Sequence, residues 1–410
     1  MSSAGADVGF SPPPYPYDRL AAAVQTAAAH PGGVVDLSVG TPCDAPPAAV
    51  VAALSTSGTE RGYPPSFGSA RLLEAATGWM RRRFGVSLDV SQLRACVGTK
   101  EFVATSAWFL RLRAPRRDTV LAPATAYPTY AMGARLAGCR LVEVPAAADG
   151  SLELSAVDDG DAERALALWV NSPSNPTGAL SDLDAAAAWG RARAVPVLSD
   201  ECYAEFTWRG APTSVVQSGT PGVLAVHSLS KRSNLAGLRV GFYAGDAELV
   251  EYFGEVRKHA GLMVPGPVQV AAALAWEDDV HVAEQRERYR RRLARLAEIL
   301  QDAGLAARVP DGGFYLWVPV PDWARELGAV EGRPGAWVLT TALAEVAGML
   351  VSPGEFYGRS ATDFVRVAAV QPDERIELVA TRLAASHHPH LRHATPGPAE
   401  EGPGRNGAGR

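Results

Sequence analysis

The sequence has few of the features that mark disulfide-rich, membrane-spanning or nucleic-acid-binding proteins. Its four cysteines are scattered without a C-x-x-C pair, which favours free thiols in a reducing cytosol over disulfides or a metal site. No uninterrupted apolar segment is long enough to span a bilayer, and the N-terminus lacks the pattern of a signal peptide. The formal net charge of −5 indicates neither a nucleic-acid nor a membrane partner. We therefore expect a cytoplasmic protein without a metal site.

The length and composition suit a globular protein with more than one domain. With 410 residues, of which 47% are hydrophobic, the chain can form one large and one smaller domain. From about residue 94 to residue 245, short β-rich runs alternate with helical stretches. The runs are "RACVG", "TVLAPA", "CRLVEVP", "ALALWVNS", "VPVLSDECY", "GVLAVHSLS" and "LRVGFYAG". They predict an α/β fold with a mostly parallel sheet, whose ligands bind beyond the carboxyl ends of the strands.

The pattern changes after Gly261. A long helical segment is predicted from about Pro267 to Gly304, divided by a break near Asp278, and a small α+β region follows. We predict an N-terminal arm with part of the small domain (1–45), a large domain (46–265), and an interdomain helix with the C-terminal small domain (266–387). For the Pro/Gly-rich tail (388–410), disorder is favoured over metal binding by the histidines of "HHPHLRH".

Polar and charged residues stand at the ends of several predicted strands. They lie in "NSPSNPTG", "SDECY", "HSLSKRSN" and "LRVGF", and comprise Asn175, Asp200, Tyr203, Ser228, Lys231 and Arg239. Taken singly, each has an ordinary explanation, such as a proline-glycine turn, a helix cap or an ion pair. Lys231 is harder to explain in this way, because an ammonium at the end of a buried strand is costly to desolvate. The order and spacing of these residues are more specific than any one of them.

In these segments the chain resembles the class I and II aminotransferases, which are fold-type I enzymes that use pyridoxal 5'-phosphate (PLP). The resemblance covers about residues 12 to 386 and implies a large domain with a mostly parallel central sheet and a smaller α+β domain. It implies that Lys231 bonds covalently to the cofactor aldehyde, which needs an amine of lowered pKa. Asp200 would keep the pyridine nitrogen protonated, so that the ring accepts electrons from the substrate. Tyr203 and Asn175 would hydrogen-bond the ring 3-hydroxyl.

The resemblance also assigns a phosphate site. Ser228 and Arg239 would bind the phosphate, since arginine suits a multidentate contact. In "CVGTKE", the residues Gly98, Thr99 and Lys100 stand between a strand and a helix start, where free N–H groups favour a phosphate.

Further residues are assigned to the ring face, to a neighbouring subunit and to the substrate. Tyr127 in "ATAYPTY" matches the aromatic residue that stacks on the pyridine ring, with an ordinary core tyrosine as the alternative. Tyr63 matches a tyrosine that reaches the cofactor phosphate of the neighbouring subunit, which implies a homodimer with shared active sites. Gly40 and Asn175 would lie at the substrate. Arg366 in "DFVRVAAV" matches the arginine that clamps the substrate α-carboxylate, and an arginine in an apolar strand is costly unless it meets an anion.

Several segments resemble one branch of the family more closely. "VDLSVGTP", "RKHAGLMVPGPVQVAA" and "SPGEFYG" are similar to the actinobacterial type of N-succinyldiaminopimelate aminotransferase, an enzyme of lysine and cell-wall precursor synthesis. "DGGFYLW", "LRVGF" and "GTKE" depart from the usual "EAGLYLW", "YRAGF" and "GSKE". These departures leave the cofactor site intact and the amino donor open. Lys100, Arg232 and Arg71 are candidates for reading the distal end of the substrate, with ordinary surface charges as the alternative.

Two other kinds of function would use the same cofactor residues. One is a PLP-dependent reaction of other specificity, either transamination of an aspartate, aromatic or LL-diaminopimelate donor or a C–S lyase reaction. The other is a PLP-binding regulatory module, but the roughly thirty residues before "VVDLSVG" are too few for a preceding DNA-binding domain. We expect ping-pong transamination in which 2-oxoglutarate regenerates the cofactor.

Overall fold

A computed structural model describes residues 10–147 and 149–391. The strands are β1 (Val35–Asp36), β2 (Leu93–Cys96), β3 (Thr119–Pro123), β4 (Arg140–Val144), β5 (Ala165–Asn171), β6 (Val197–Asp200), β7 (Val223–Ser228), β8 (Gly241–Gly245), β9 (Tyr315–Pro319), β10 (Met349–Leu350), β11 (Ser352–Pro353) and β12 (Phe364–Ala368).

The helices of the first part of the chain are α1 (Ala21–Ala28), α2 (Ala48–Ser55), α3 (Ala70–Phe84), α4 (Thr99–Arg113), α5 (Thr129–Leu136), α6 (Asp159–Glu163), α7 (Leu183–Arg193), α8 (Leu229–Arg232) and α9 (Ala247–His259). Those that follow are α10 (Gly266–Glu277), α11 (Val280–Asp302), α12 (Asp322–Glu331), α13 (Gly335–Ala347) and α14 (Asp373–Ala384). The break near Asp278 is confirmed, because that residue has an extended backbone between α10 and α11.

The central sheet has the strand order β2-β8-β7-β6-β5-β3-β4. Only β8 runs antiparallel to its neighbours, while β7, β6, β5, β3 and β4 pair in parallel. Every residue of β5 is buried, as expected for a strand covered on both faces. The predicted α/β fold with a mostly parallel sheet is confirmed. The carboxyl ends of β5, β6 and β7 meet at one edge, where Asn171 pairs with Asp200 and Asp200 with Val226.

Helices cover both faces of this sheet. On one face α3, α7 and α10 contribute Trp79, Trp189 and Trp276 to an apolar core. On the other face α4, α5 and α9 contribute residues such as Phe102 and Phe253. Since large apolar side chains pack on both faces of the sheet, the carboxyl ends of β5, β6 and β7 are fixed between two layers of helices.

The two ends of the chain meet in a smaller assembly. Strand β1 pairs in parallel with β10, with Val35 opposite Met349. Strands β11, β12 and β9 form an antiparallel sheet, and α11 packs on it through leucines that include Leu293 and Leu300. On this basis we propose the predicted division into an arm, a large domain and a small domain, except that α10 packs on the large domain and the small domain extends to Leu391.

The chain remains packed beyond the predicted start of the tail. The ring of His390 stacks on Trp323 with centroids 5.1 Å apart, and Leu391 is buried in the small-domain core. Ordered structure therefore continues to residue 391, past the boundary predicted at 388, and the rest of the predicted tail lies outside the described residues. The four cysteines are free thiols, as predicted. In the described ranges, no helix combines the length and the apolar character needed to cross a membrane.

Candidate active site

A cavity lies at the edge of the sheet where β5, β6 and β7 end. Eight of the residues predicted from the sequence line it: Gly40, Thr99, Tyr127, Asn175, Asp200, Tyr203, Lys231 and Arg366. They come from both ends and the middle of the chain, and the fold brings them together as the strand-end argument predicts.

Lys231 lies on the short helix α8, directly after β7. Its Nζ donates a hydrogen bond to the carbonyl oxygen of Gly40 and lies 5.8 Å from the centre of the Phe314 ring. Burial lowers the pKa of the amine to about 8, and the positive charge of Arg366 acts in the same direction. An appreciable fraction of this amine is therefore neutral and nucleophilic near physiological pH.

Asp200 ends β6 and is buried. It accepts hydrogen bonds from the Tyr130 hydroxyl at 3.0 Å and from the Cys202 backbone N–H at 3.2 Å. Burial raises the pKa of its carboxyl, against the opposing effect of these bonds. Among the described residues, Asp200 has no ion-pair partner. A buried carboxylate without a counter-charge is costly, and a protonated pyridine nitrogen would supply one.

Tyr203 and Asn175 approach the cavity from two different turns. The hydroxyls of Tyr203 and Tyr315 hydrogen-bond each other at 2.8 Å. Burial, and next the neighbouring Tyr315, raise the pKa of Tyr203 well above its usual value, so that it stays a neutral phenol. The side-chain oxygen of Asn175 accepts a hydrogen bond from Arg366 at 2.8 Å. Both residues can thus present polar groups to a ring hydroxyl beside Lys231.

The N-terminus of α4 forms the other end of the site. Gly98 is the N-cap of this helix with φ +73°, and Thr99 is its first residue. A methyl group at Gly98 would lie 2.2 Å from Nη2 of Arg239, so the guanidinium rests directly over the glycine. Ser228 caps α8 by accepting a bond from the Ser230 N–H at 3.1 Å, and it pairs with Gly241, which packs against Thr99. A helix start and an arginine over a glycine suit a phosphate, although the N–H of Gly98 itself donates to the Cys96 carbonyl oxygen at 2.8 Å.

Arg366 is buried on β12, and most of its guanidinium donors have hydrogen-bond partners. Besides Asn175, it donates to the Tyr17 hydroxyl at 3.1 Å and to the Ser38 carbonyl oxygen at 2.5 Å. Its guanidinium carbon lies 4.0 Å from the ring centre of Tyr315. Its buried Nε has no hydrogen-bond partner among residues 10–147 and 149–391. An unsatisfied buried donor in this cavity is what a substrate carboxylate would satisfy.

Three of the predicted residues contribute differently from the rest. Tyr127 lines the cavity with its ring edge-to-face to Tyr130, at 5.9 Å between centroids. The Lys100 side chain is exposed and lies over the Tyr15 ring at 5.3 Å, so only its backbone remains at the start of α4. Tyr63 is 96% exposed and does not line the cavity. It could therefore contact a cofactor phosphate only in a second subunit.

Several residues that complete the site were not predicted from the sequence. They are Tyr15, Tyr17, Thr41, Tyr130, Asn171, Cys202 and Tyr315. Tyr15 and Tyr17 lie in "YPYDRL", and Tyr315 lies in "GGFYLW". The repeated aromatic residues in these segments were the only sign in the sequence that they belong to the site. Their contacts with Arg366 and Tyr203 join residues far apart in the chain, so local patterns could not predict them.

The comparisons with known proteins cover nearly the whole chain. Residues 32–383 match the family model for class I and II aminotransferases. The chain is 43% identical over 382 residues to the Streptomyces rimosus 4-dedimethylamino-4-oxo-anhydrotetracycline transaminase, which covers 90% of this chain and 99% of that relative. It is 42% identical over 389 residues to a probable aminotransferase of Mycobacterium tuberculosis, covering 92% and 86% of the two chains.

A solved structure from Thermus thermophilus is similar in both sequence and shape. It is a probable N-succinyldiaminopimelate aminotransferase, and the match has a TM-score of 0.77 and 29% identity. The alignment covers 89% of this chain and 98% of that chain.

Proposed function

The chain belongs to the class I and II aminotransferases, and from this premise we propose that it transfers an amino group between N-succinyl-LL-2,6-diaminopimelate and 2-oxoglutarate. As a member of this family, the chain is a PLP-dependent aminotransferase that acts on amino-acid and oxo-acid substrates. The charge of Lys100, beside the catalytic cavity, supports the succinylated donor.

The residues at the strand ends fit PLP. The unpaired Asp200 faces the site as a counter-charge for a ring nitrogen, and Arg239 over Gly98 forms a cradle that a Cβ atom would fill. We propose that Thr99, Ser228 and Arg239 hold the phosphate, and that Tyr127 covers the ring. When bound, PLP supplies an electron sink that stabilises negative charge at the substrate Cα.

The side chains of the protein orient the substrate and transfer the proton. Arg366 orients the substrate through its carboxylate, using Nε and the donors now directed at Asn175 and Tyr17. Lys231, with a pKa of about 8, takes the proton from the substrate Cα and returns one as general base and acid. Tyr203 donates as a neutral phenol, because burial keeps its pKa high.

The three candidate cations for binding the distal end of the substrate differ in their contacts. The Arg232 side chain is only 2% exposed and pairs with Glu205 and Asp279, each at 3.1 Å. Arg71 pairs with Glu277 at 3.3 Å on the surface. Lys100 forms no ion pair within the described ranges and lies over Tyr15, which also lines the catalytic cavity. These contacts favour Lys100 among the three candidates.

A second cavity adjoins the catalytic one and gives the distal end room. We name it the arm cavity; it is lined by Pro12–Pro16, Lys100, Tyr127 and Arg359, among others, and has a volume of about 580 Å³. Tyr15 and Tyr127 line both cavities. A long donor anchored at Arg366 could therefore extend past these rings to Lys100.

The charge of Lys100 separates the succinylated donor from free LL-diaminopimelate. The distal end of free LL-diaminopimelate carries both an ammonium and a carboxylate, so it has no net charge to be attracted by a lysine. Succinylation replaces that ammonium with a neutral amide and adds a carboxylate, which a lysine attracts. This is the observation that carries the proposal.

A polycyclic ketone is a second candidate substrate. The walls of the arm cavity include apolar and aromatic side chains, such as Met132 and Phe356. The Streptomyces rimosus relative acts on an anhydrotetracycline. A ring system of that kind would pack against these walls without needing Lys100.

Single-turnover half-reactions distinguish these donors. Purified holoenzyme is mixed with N-succinyl-LL-diaminopimelate, LL-diaminopimelate, aspartate or phenylalanine, and the change in cofactor absorbance gives the rate constants. We expect the succinylated donor to react best, and Lys100→Gln to weaken its binding about tenfold, the usual effect of losing one charged hydrogen bond. Lys258→Gln is the matched control, since Lys258 is a surface lysine paired with Glu255.

Two outcomes would contradict the assignment. If the succinylated donor gave no conversion while an aromatic or small amino acid did, the proposed substrate would be wrong. With a thioether amino acid such as cystathionine as a further donor, release of a free oxo acid without conversion of the cofactor would indicate the C–S lyase reaction.

A further inference from the structure

A cavity separate from the catalytic one lies between α3, α11 and the turn after β6. Its volume is about 180 Å³, and Arg82, Arg83 and Arg286 line it together with Glu205 and Asp279. We call it the arginine cavity. It shares no lining residue with the catalytic cavity.

The carboxylates of this cavity are shared among several guanidinium groups. Glu205 pairs with Arg83 at 2.8 Å and with Arg232 at 3.1 Å. Asp279 pairs with Arg82 at 2.8 Å and with the same Arg232 at 3.1 Å. The guanidinium groups of three arginines thus share the negative charge of two carboxylates. A fourth arginine also lines the cavity.

Arg286 is the fourth arginine, and it has no ion-pair partner in the described part of the chain. Its terminal nitrogens donate to the backbone carbonyl oxygens of Glu205 and Thr207, which carry no net charge. Burial, and next the charge of Arg83, lower the pKa of this guanidinium. Positive charge is therefore left uncompensated at the cavity wall.

The nearest additional acid does not remove this excess. The Asp278 carboxylate is held by His281 at 2.9 Å, and its backbone carbonyl accepts from Arg232 at 3.4 Å. Even with Asp278 included, four guanidinium groups face three carboxylates. Burial lowers the pKa of His281, so that histidine adds no charge at neutral pH.

We propose that the arginine cavity binds a small oxyanion, namely a phosphate group that is either free or carried on a small phosphomonoester. Guanidinium groups suit phosphate because their planar donors match its oxygens. The bound anion contacts Arg83 and Arg286 and supplies the missing negative charge. The site adds a binding function that is independent of the proposed donor.

Calorimetry on the holoenzyme tests this site, because bound PLP already occupies the cofactor phosphate cradle. Inorganic phosphate and methyl phosphate are titrated at constant ionic strength, with chloride as the blank. We expect saturable binding of one anion per chain, weakened about tenfold by Arg286→Gln. Arg290→Gln on the same helix is the matched control, since Arg290 pairs with Glu287 on the surface. The phosphate affinity of this variant should equal that of the wild type.

The result for methyl phosphate shows whether the cavity accepts a monoester or only the free ion. Absence of saturable phosphate binding to the holoenzyme would overturn the proposal. So would binding that persists in Arg286→Gln and is displaced by 2-oxoglutarate, because that pattern assigns the anion to Arg366. If Arg286→Gln does not fold, Arg83→Gln is measured in its place. These titrations involve no amino transfer, so their failure is distinct from failure of the proposed donor.

Discussion

At the scale of single residues, the site depends on side chains whose burial changes their chemistry. Lys231 is the clearest case, because burial and the charge of Arg366 lower the pKa of its amine to about 8. The same burial raises the pKa of Asp200 and of Tyr203. Each shift favours the neutral form of the group, as expected when burial removes the charged form from water.

The lowered pKa of Lys231 predicts a pH dependence of cofactor uptake. Only the neutral amine attacks the cofactor aldehyde, and it becomes the major form as the pH rises through 8. The rate at which apoprotein reacts with PLP should fall about tenfold per pH unit below that value and level off above it. Stopped-flow absorbance measures this rate, with Lys231→Ala as the blank. A rate that keeps rising to about pH 10 would indicate a lysine with an ordinary pKa.

Arg366 predicts a separation between substrate binding and cofactor binding. Arg366→Lys keeps the charge but loses the planar fork and the unsatisfied Nε. We expect amino donors to bind about tenfold to a hundredfold more weakly, with the absorbance of bound cofactor unchanged. Half-reactions at varied donor concentration give this affinity. Arg295→Lys, at a surface arginine paired with Glu377, is the control, and an unchanged affinity in Arg366→Lys would contradict the role.

The sequence could predict the residues to which we assign the cofactor chemistry, but not all of the residues that contact them. Lys231, Asp200 and Arg366 stand in recognisable segments, and the structure places them in one cavity. Tyr17 contacts Arg366 across 349 positions of the chain. Tyr315 likewise meets Tyr203 across 112 positions. Such contacts follow from how the two ends of the chain fold together, which local patterns do not specify.

At the scale of elements, the site is made from strand and helix ends. Strands β5, β6 and β7 end together because they pair in parallel, and the N-terminus of α4 faces the same edge. The run of β-rich segments was sufficient to predict this sheet. The position of Arg239 over Gly98 was not predictable, because it depends on how the turn before β8 packs against α4.

Gly98 provides a test of the helix end. Gly98→Ala would force a side chain onto φ +73° and into the Arg239 guanidinium, so PLP affinity should fall about tenfold or more. Gly85→Ala is the matched control, because Gly85 caps α3 at φ +69° and has no neighbour within 4 Å of the added carbon. Gly85→Ala should lose about 1 kcal/mol of stability, because Gly85 is left-handed helical (φ +69°, ψ +13°). Gly98→Ala should lose more, because Gly98 (φ +73°, ψ +149°) lies in a region open essentially only to glycine. Titration of the apoprotein with PLP measures the affinity, and an equal effect in both variants would show that Arg239 is not involved.

At the scale of the whole molecule, the position of Tyr63 bears on assembly. Its side chain is 96% exposed in a single chain and does not line the catalytic cavity of that chain. We propose a homodimer in which this tyrosine reaches the phosphate site of the partner. Light scattering should then give twice the chain mass of 43.1 kDa.

Hybrid dimers test whether the sites are shared. Tyr63→Ala and Lys231→Ala proteins are each expected to be impaired or inactive alone. Mixed by refolding, they should regain activity, because one site of the hybrid then combines Lys231 from one subunit with Tyr63 from the other. Absence of any regain, in a mixture shown by mass spectrometry to contain hybrids, would place Tyr63 outside the partner's site.

Covalent labelling shows whether the strand ends form a PLP site around Lys231. The chain contains only three lysines, Lys100, Lys231 and Lys258, so the site of attachment can be read without ambiguity. The holoenzyme is reduced with borohydride, digested, and mapped by mass spectrometry. The account predicts the cofactor mass on the peptide of Lys231 alone. Attachment to Lys100 or Lys258, or no attachment at all, would contradict it.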